Sequence, residues 1–131
     1  YLFIFGVTLS IIQNYITPYG FMAQQNIFEL FPTQEPHRMI IIITTCLVAP
    51  ITEEYIFRGA ILGNLLQSFG KKKSIFISSL LFSLLHFQPE VAGAIFVISL
   101  IISTIYLKYE TIYIPIVFHI VNNSLKTIIT L

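Results

Sequence analysis

The residues best suited to chemistry are Glu53-Glu54-Tyr55-Ile56-Phe57-Arg58, two adjacent carboxylates and an arginine set in sequence apolar enough to lie in a lipid bilayer. Charge at that depth is costly, and where it persists it normally serves a site. Two later apolar stretches add Phe82-Ser83-Leu84-Leu85-His86 and His119-Ile120-Val121-Asn122-Asn123. Carboxylate, imidazole and amide groups therefore enter from separate segments, each with little polar neighbourhood of its own. Such groups are expected to converge. Together they offer a base for water, an acid for a leaving amine and donors for a developing oxyanion, which is the set that peptide hydrolysis requires.

Each group also has a plainer reading. Glu54 and Arg58 are spaced i, i+4, share one helical face and could simply neutralise each other within the bilayer. Glu53 is rotated about 100° from Glu54 and has no matching cation in its own helix, so it should either be protonated or find a partner in another segment. A lone histidine at the end of an apolar helix, such as His86, is often a hydrogen-bonded core residue. His119 and Asn123 are again i, i+4 and address one point in space; on their own they would be glue between packed helices. The sequon Asn122-Asn123-Ser124 lies in an apolar helix that a glycosyltransferase cannot reach, and Gly59-Ala60-Ile61-Leu62-Gly63 reads as a place where another helix of the domain approaches closely. Neither a His-Glu-x-x-His pair nor a Gly-x-Ser-x-Gly elbow occurs, so the signatures of zincins and serine hydrolases are missing.

The elements that must position these groups follow from composition. Hydrophobic residues make up 56% of the 131-residue chain and charged residues 10%, with mean hydropathy +0.85, which predicts an all-α, polytopic transmembrane helix bundle rather than a soluble enzyme. A single domain over 1–131 is expected, with its catalytic core over about 39–131; the start at Tyr1 rather than Met points to a trimmed chain with spans missing upstream. The net charge of +1 without a basic stripe argues against a nucleic-acid partner. Cys46 has no intrachain partner and sits in an apolar run, as a buried structural thiol would.

The apolar spans are expected at Tyr1 to Thr17, Met39 to Phe69, Ser74 to Phe87, Val91 to Leu107 and Thr111 to Leu131, with Phe21 to Arg38 as an interfacial connector. The second span would be about 45 Å long against ~30 Å of hydrocarbon, so it must tilt, kink at Pro50 or protrude. Gly70 followed by Lys71, Lys72 and Lys73 should close that helix with a cytoplasmic loop, and Lys108 falls on the same side. Pro115 suits the first turn of the last helix, where a missing N–H costs little. Helical rise puts Glu53 about 27 Å from Lys71, His86 about 20 Å from Lys73 and His119 about 16 Å from Lys108, a loose agreement in depth.

Glu-Glu-x-x-x-Arg, Phe-x-x-x-His and His-x-x-x-Asn, in that order on successive membrane segments, resemble the CPBP or Abi family, which contains type II CAAX prenyl proteases and bacterial relatives linked to bacteriocin processing and self-immunity. The resemblance spans Glu53 to Asn123. It implies an intramembrane endopeptidase in the membrane of a bacterial cell, acting on a membrane-embedded, lipidated or bacteriocin-type peptide. Glu53 and His86 would activate water, His119 and Asn123 would stabilise the oxyanion, and Glu54 and Arg58 would support them. A metal-free glutamate mechanism is the favoured expectation, because neither histidine pair has the helical spacing of a preformed metal-binding turn. The alternative is zinc held by Glu53, His86 and His119 with water in the fourth position. The rivals outside catalysis are a membrane immunity or chaperone-like protein of the same fold, or a small transporter with charges along an ion path.

Overall fold

The computed structural model of the chain describes residues 35–130, and among them every regular element is helical. The order is α1 (Glu35–Ile43), a π-helical turn (Thr44–Val48), α2 (Ala49–Glu54), a second π-helical segment (Tyr55–Leu62), α3 (Gly63–Leu84), α4 (Pro89–Tyr109) and α5 (Tyr113–Thr130). The expected span Tyr1 to Thr17 and most of the Phe21 to Arg38 connector lie outside the described residues. Two helical stretches, Arg38–Leu84 and Pro89–Tyr109, are long and apolar enough to cross a membrane.

Their buried faces mix serines with apolar side chains. On α3 and α4 the buried side chains include Ser74, Ser78, Ser79, Ser83, Ser99 and Ser103, while Phe76, Leu80, Leu81, Leu84 and Val97 are exposed. A bilayer is as apolar as leucine, so helices associate there in part through small residues that let backbones approach, and large apolar side chains can face outward. The buried serines recur at i, i+4 and form the seam. Among the described residues this corrects the expectation for Gly59 and Gly63: a Cβ at Gly59 would meet only Ile112 Cδ1 at 3.9 Å and one at Gly63 would meet nothing within 4 Å. Charged side chains at Lys71, Lys72, Lys73, Glu90, Lys108 and Glu110 are exposed near helix ends or at the Gly70 break, whereas Glu54 and Arg58 are fully buried.

The chain divides into two compact units. The unit from Thr52 to Val117 is built on a reversal at Gly70, whose φ of 70° and ψ of 170° interrupt the helical path through α3. A residue with a Cβ rarely adopts that conformation, so glycine is required there. The expectation that Gly70 ends a helix holds, but Lys71, Lys72 and Lys73 begin the next helical run instead of forming a loop. After the break the chain folds back: Ser78 Oγ donates to Phe57 O at 3.3 Å and Phe82 meets Phe57 edge-on at 4.9 Å. Phe57, Phe82, Val91 and Ile95 form the apolar core, with Ile61 against it. Helix α3 stops at Leu84, three residues short of the expected Phe87, and Phe87 takes a φ of 50° before Pro89 starts α4. Glu110, at φ 51°, ends α4 in the same left-handed conformation.

The described part of the other unit runs to Ile51 and resumes at Phe118. At buried Pro50 the helix does not break; Ala49 keeps α-helical angles, and the preceding turn widens to π register, with the Ala49 N–H donating to Thr44 O. Buried Cys46 donates its thiol hydrogen to Thr127 Oγ1 at 3.4 Å, which bears out its structural role. Pro115 falls early in α5, where its missing N–H leaves the helical ladder intact.

Candidate active site

The Thr52 to Val117 unit assembles the first two motifs. Glu54 and Arg58 leave the same face one turn apart, and Arg58 Nη1 donates to Glu54 Oε1 at 3.1 Å with both side chains at 0% exposure. Arg58 Nη2 donates to Ser99 Oγ at 3.0 Å, and the guanidinium carbon lies 4.5 Å from the centre of the Phe82 ring. The arginine is thus held by a carboxylate, a hydroxyl and an aromatic face, which together replace part of its hydration shell, while its Nε has no hydrogen-bond partner among the described residues. Sequence reasoning foresaw the ion pair but not Ser99, because a serine in an apolar helix gives no sign of which neighbour it will meet. Phe82 belonged to a recognised motif, and its role is now visible.

Phe82 links that buried pair to His86. The two rings are 4.6 Å apart, and His86 Nδ1 sits 2.7 Å from Phe82 O. A carbonyl only accepts, so Nδ1 carries the hydrogen and, in the neutral ring, Nε2 presents its lone pair. Nε2 lies 4.0 Å from Glu53 Oε2. That separation is too long for a direct hydrogen bond and leaves the two atoms as paired acceptors on one small space. Their side chains are 27% and 34% exposed, in contrast to the fully buried Glu54 and Arg58. The adjacent carboxylates therefore differ in setting: Glu54 is fully buried against Arg58, whereas the Glu53 side chain is partly exposed although its Oε2 is buried.

Two π-helical segments flank Glu53 and Glu54. Of the two, only Tyr55–Leu62 lies between Glu53 and Lys71, and its wider turns, which advance less per residue than an α-helix, take up part of the difference in sequence separation between Glu53 and His86. In the other unit, buried His119 and partly buried Asn123 lie one turn apart on α5, and Asn123 Nδ2 donates to Thr45 O at 3.1 Å. Thr45 was not foreseen as a partner, since it contributes only its backbone carbonyl.

A family model described as Rce1-like, a type II CAAX prenyl endopeptidase, matches residues 35–125. No curated protein and no solved structure matches the chain. The family match covers well over half of the chain, upholds the resemblance drawn from the three motifs, and brings with it CAAX-type intramembrane protease activity on a peptide or prenylated protein.

Proposed function

Because the chain belongs to the Rce1-like family of type II CAAX prenyl endopeptidases, we propose that it hydrolyses a peptide bond through water activated by Glu53 and His86. The observation that carries this reading is the facing pair itself: His86 Nε2 and Glu53 Oε2, 4.0 Å apart, with the imidazole tautomer set by Phe82 O. Water between two acceptors donates one hydrogen to each and points its lone pair outward. Glu53 takes a proton as the oxygen adds to the scissile carbonyl carbon; as the C–N bond breaks, that proton passes from Glu53 by way of His86 Nε2 to the leaving amine, which restores the Glu53 carboxylate. His119 and Asn123 stabilise the oxyanion formed on the way. Glu54 and Arg58 act only by holding Phe82, and through it His86.

The substrate is a membrane-associated peptide, lipidated in the CAAX manner or of bacteriocin type, and the protein is a multi-pass component of a bacterial cell membrane. In this mechanism no metal is needed. The competing assignment makes Glu53, His86 and His119 the ligands of a zinc ion that polarises the same water. The test is cleavage of a membrane-inserted or lipidated peptide by purified protein. Glu53→Gln keeps the shape and removes the base, so turnover falls on the order of 10²–10⁴-fold. Activity persists through EDTA and phenanthroline. Chelator-sensitive activity restored by zinc moves the three residues to ligand roles, and a folded Glu53→Gln protein with full cellular function favours the non-catalytic immunity role.

A further inference from the structure

The carbonyl of Thr45 has lost its place in the helical ladder. In an α-helix it would accept from the Ala49 N–H, but that donor bonds Thr44 O instead. In the π register it would accept from residue 50, which is a proline and has no N–H. The α and the π partner of that carbonyl are thus both ruled out by one shift of register at one proline. The Thr45 site is part-buried, so solvent relieves the carbonyl only in part, and a carbonyl left unpaired away from water is costly. The donor that reaches it is Asn123 Nδ2, at 3.1 Å across from α5. One turn further along, Thr127 accepts from Cys46, the residue next to Thr45, and pins the same pair of segments together.

We propose that Pro50 and the Thr45 carbonyl are positioning residues for Asn123: the proline frees the carbonyl, and the carbonyl fixes the orientation of the amide. A carbonyl cannot donate, so the amide nitrogen and not Oδ1 must face Thr45, and the second N–H of the same nitrogen is aimed by that bond. An oxyanion donor must be aimed before the reaction begins, because reorienting it during the reaction forfeits most of its effect. The proposal rests on the oxyanion role assigned to Asn123 above, and the experiment separates the two.

The experiment is a double-mutant cycle of Pro50→Ala and Asn123→Ala, read by turnover per folded molecule and by thermal midpoint in detergent. Pro50→Ala returns an N–H that competes for Thr45 O, so kcat falls by up to about 10²-fold with KM nearly unchanged, the scale expected of a misplaced catalytic group. In the Asn123→Ala background the same substitution costs no further turnover, since there is no amide left to aim. An equal loss of turnover in both backgrounds overturns the positioning role. The midpoints test the hydrogen bond without reference to catalysis: Asn123→Ala lowers the midpoint more when Pro50 is intact than in the Pro50→Ala background, where the backbone can replace the lost donor. Equal drops overturn the inference. Wild-type protein that cleaves nothing, together with unequal drops, upholds the Thr45 bond and overturns only the enzymatic reading.

Discussion

Arg58→Ala tests whether the buried ion pair is scaffold or machinery. The substitution leaves the Glu54 carboxylate at 0% exposure without its cation and removes the group that binds Ser99 Oγ and covers the Phe82 ring. Stranding one member of a buried pair costs about 3–5 kcal/mol. At about 1.4 kcal/mol per tenfold, that moves the folded to unfolded ratio by roughly two to three and a half orders of magnitude, a large share of the ~5–15 kcal/mol that holds a typical protein folded. Cys46 supplies the assay: it is the chain's single cysteine and is 7% exposed, so a fluorogenic maleimide reports its release as detergent-solubilised protein is heated. The variant is expected to unfold at a markedly lower temperature and to lose turnover in parallel with folded protein. Glu54→Leu combined with Arg58→Met removes both charges and keeps the volume, and replacing a buried pair in this way is typically neutral or stabilising. A methionine sulfur also packs well against the Phe82 ring. The double variant should therefore recover the wild-type midpoint and most of the turnover. A stable Arg58→Ala protein with no turnover, or a stable double variant that is inactive, would refute the scaffold argument and place Arg58 at the reacting groups or the substrate.

Topology follows from the exposed lysines at the Gly70 reversal and from Lys108, which short cytoplasmic loops retain. Lys72→Cys in a Cys46→Ser background should react with an impermeant thiol reagent only after the cells are opened; labelling from outside intact cells would overturn that orientation. Phe82→Leu deletes the ring that meets Phe57 at 4.9 Å and lies under Arg58 at 4.5 Å while sparing the backbone carbonyl that holds His86. A loss of about 1–3 kcal/mol is expected from the aromatic pair and the cation–π contact, seen as a lower midpoint in the same maleimide assay, and an unchanged midpoint would refute that contribution.

What could be seen in the sequence was set by how few choices a polar side chain has in lipid. Glu54 and Arg58, one turn apart in an apolar helix, had each other, and the structure pairs them at 3.1 Å. Glu53 had no cation in its own helix and therefore pointed to another segment, where His86 now faces it. Gly70 and Pro89 announced helix boundaries through their own backbone chemistry, and both act there. The π register was not legible, because Thr44–Val48 and Tyr55–Leu62 are short and mostly apolar, so no periodicity distinguishes a wider turn from an α turn. Nor was the choice of Ser99 over Ser103 as the arginine's partner, since both are buried serines one turn apart on α4. Asn123 exposes a deeper limit. Its partner is a backbone carbonyl, a group that every residue carries, and the only mark of that carbonyl's availability is a proline five positions later. Pro50 could be read as a threat to the helix, whereas its consequence is a vacancy in the ladder that a side chain on a distant segment fills. Side-chain partners can be sought by chemical type; backbone partners become visible only once the register of the helix is known.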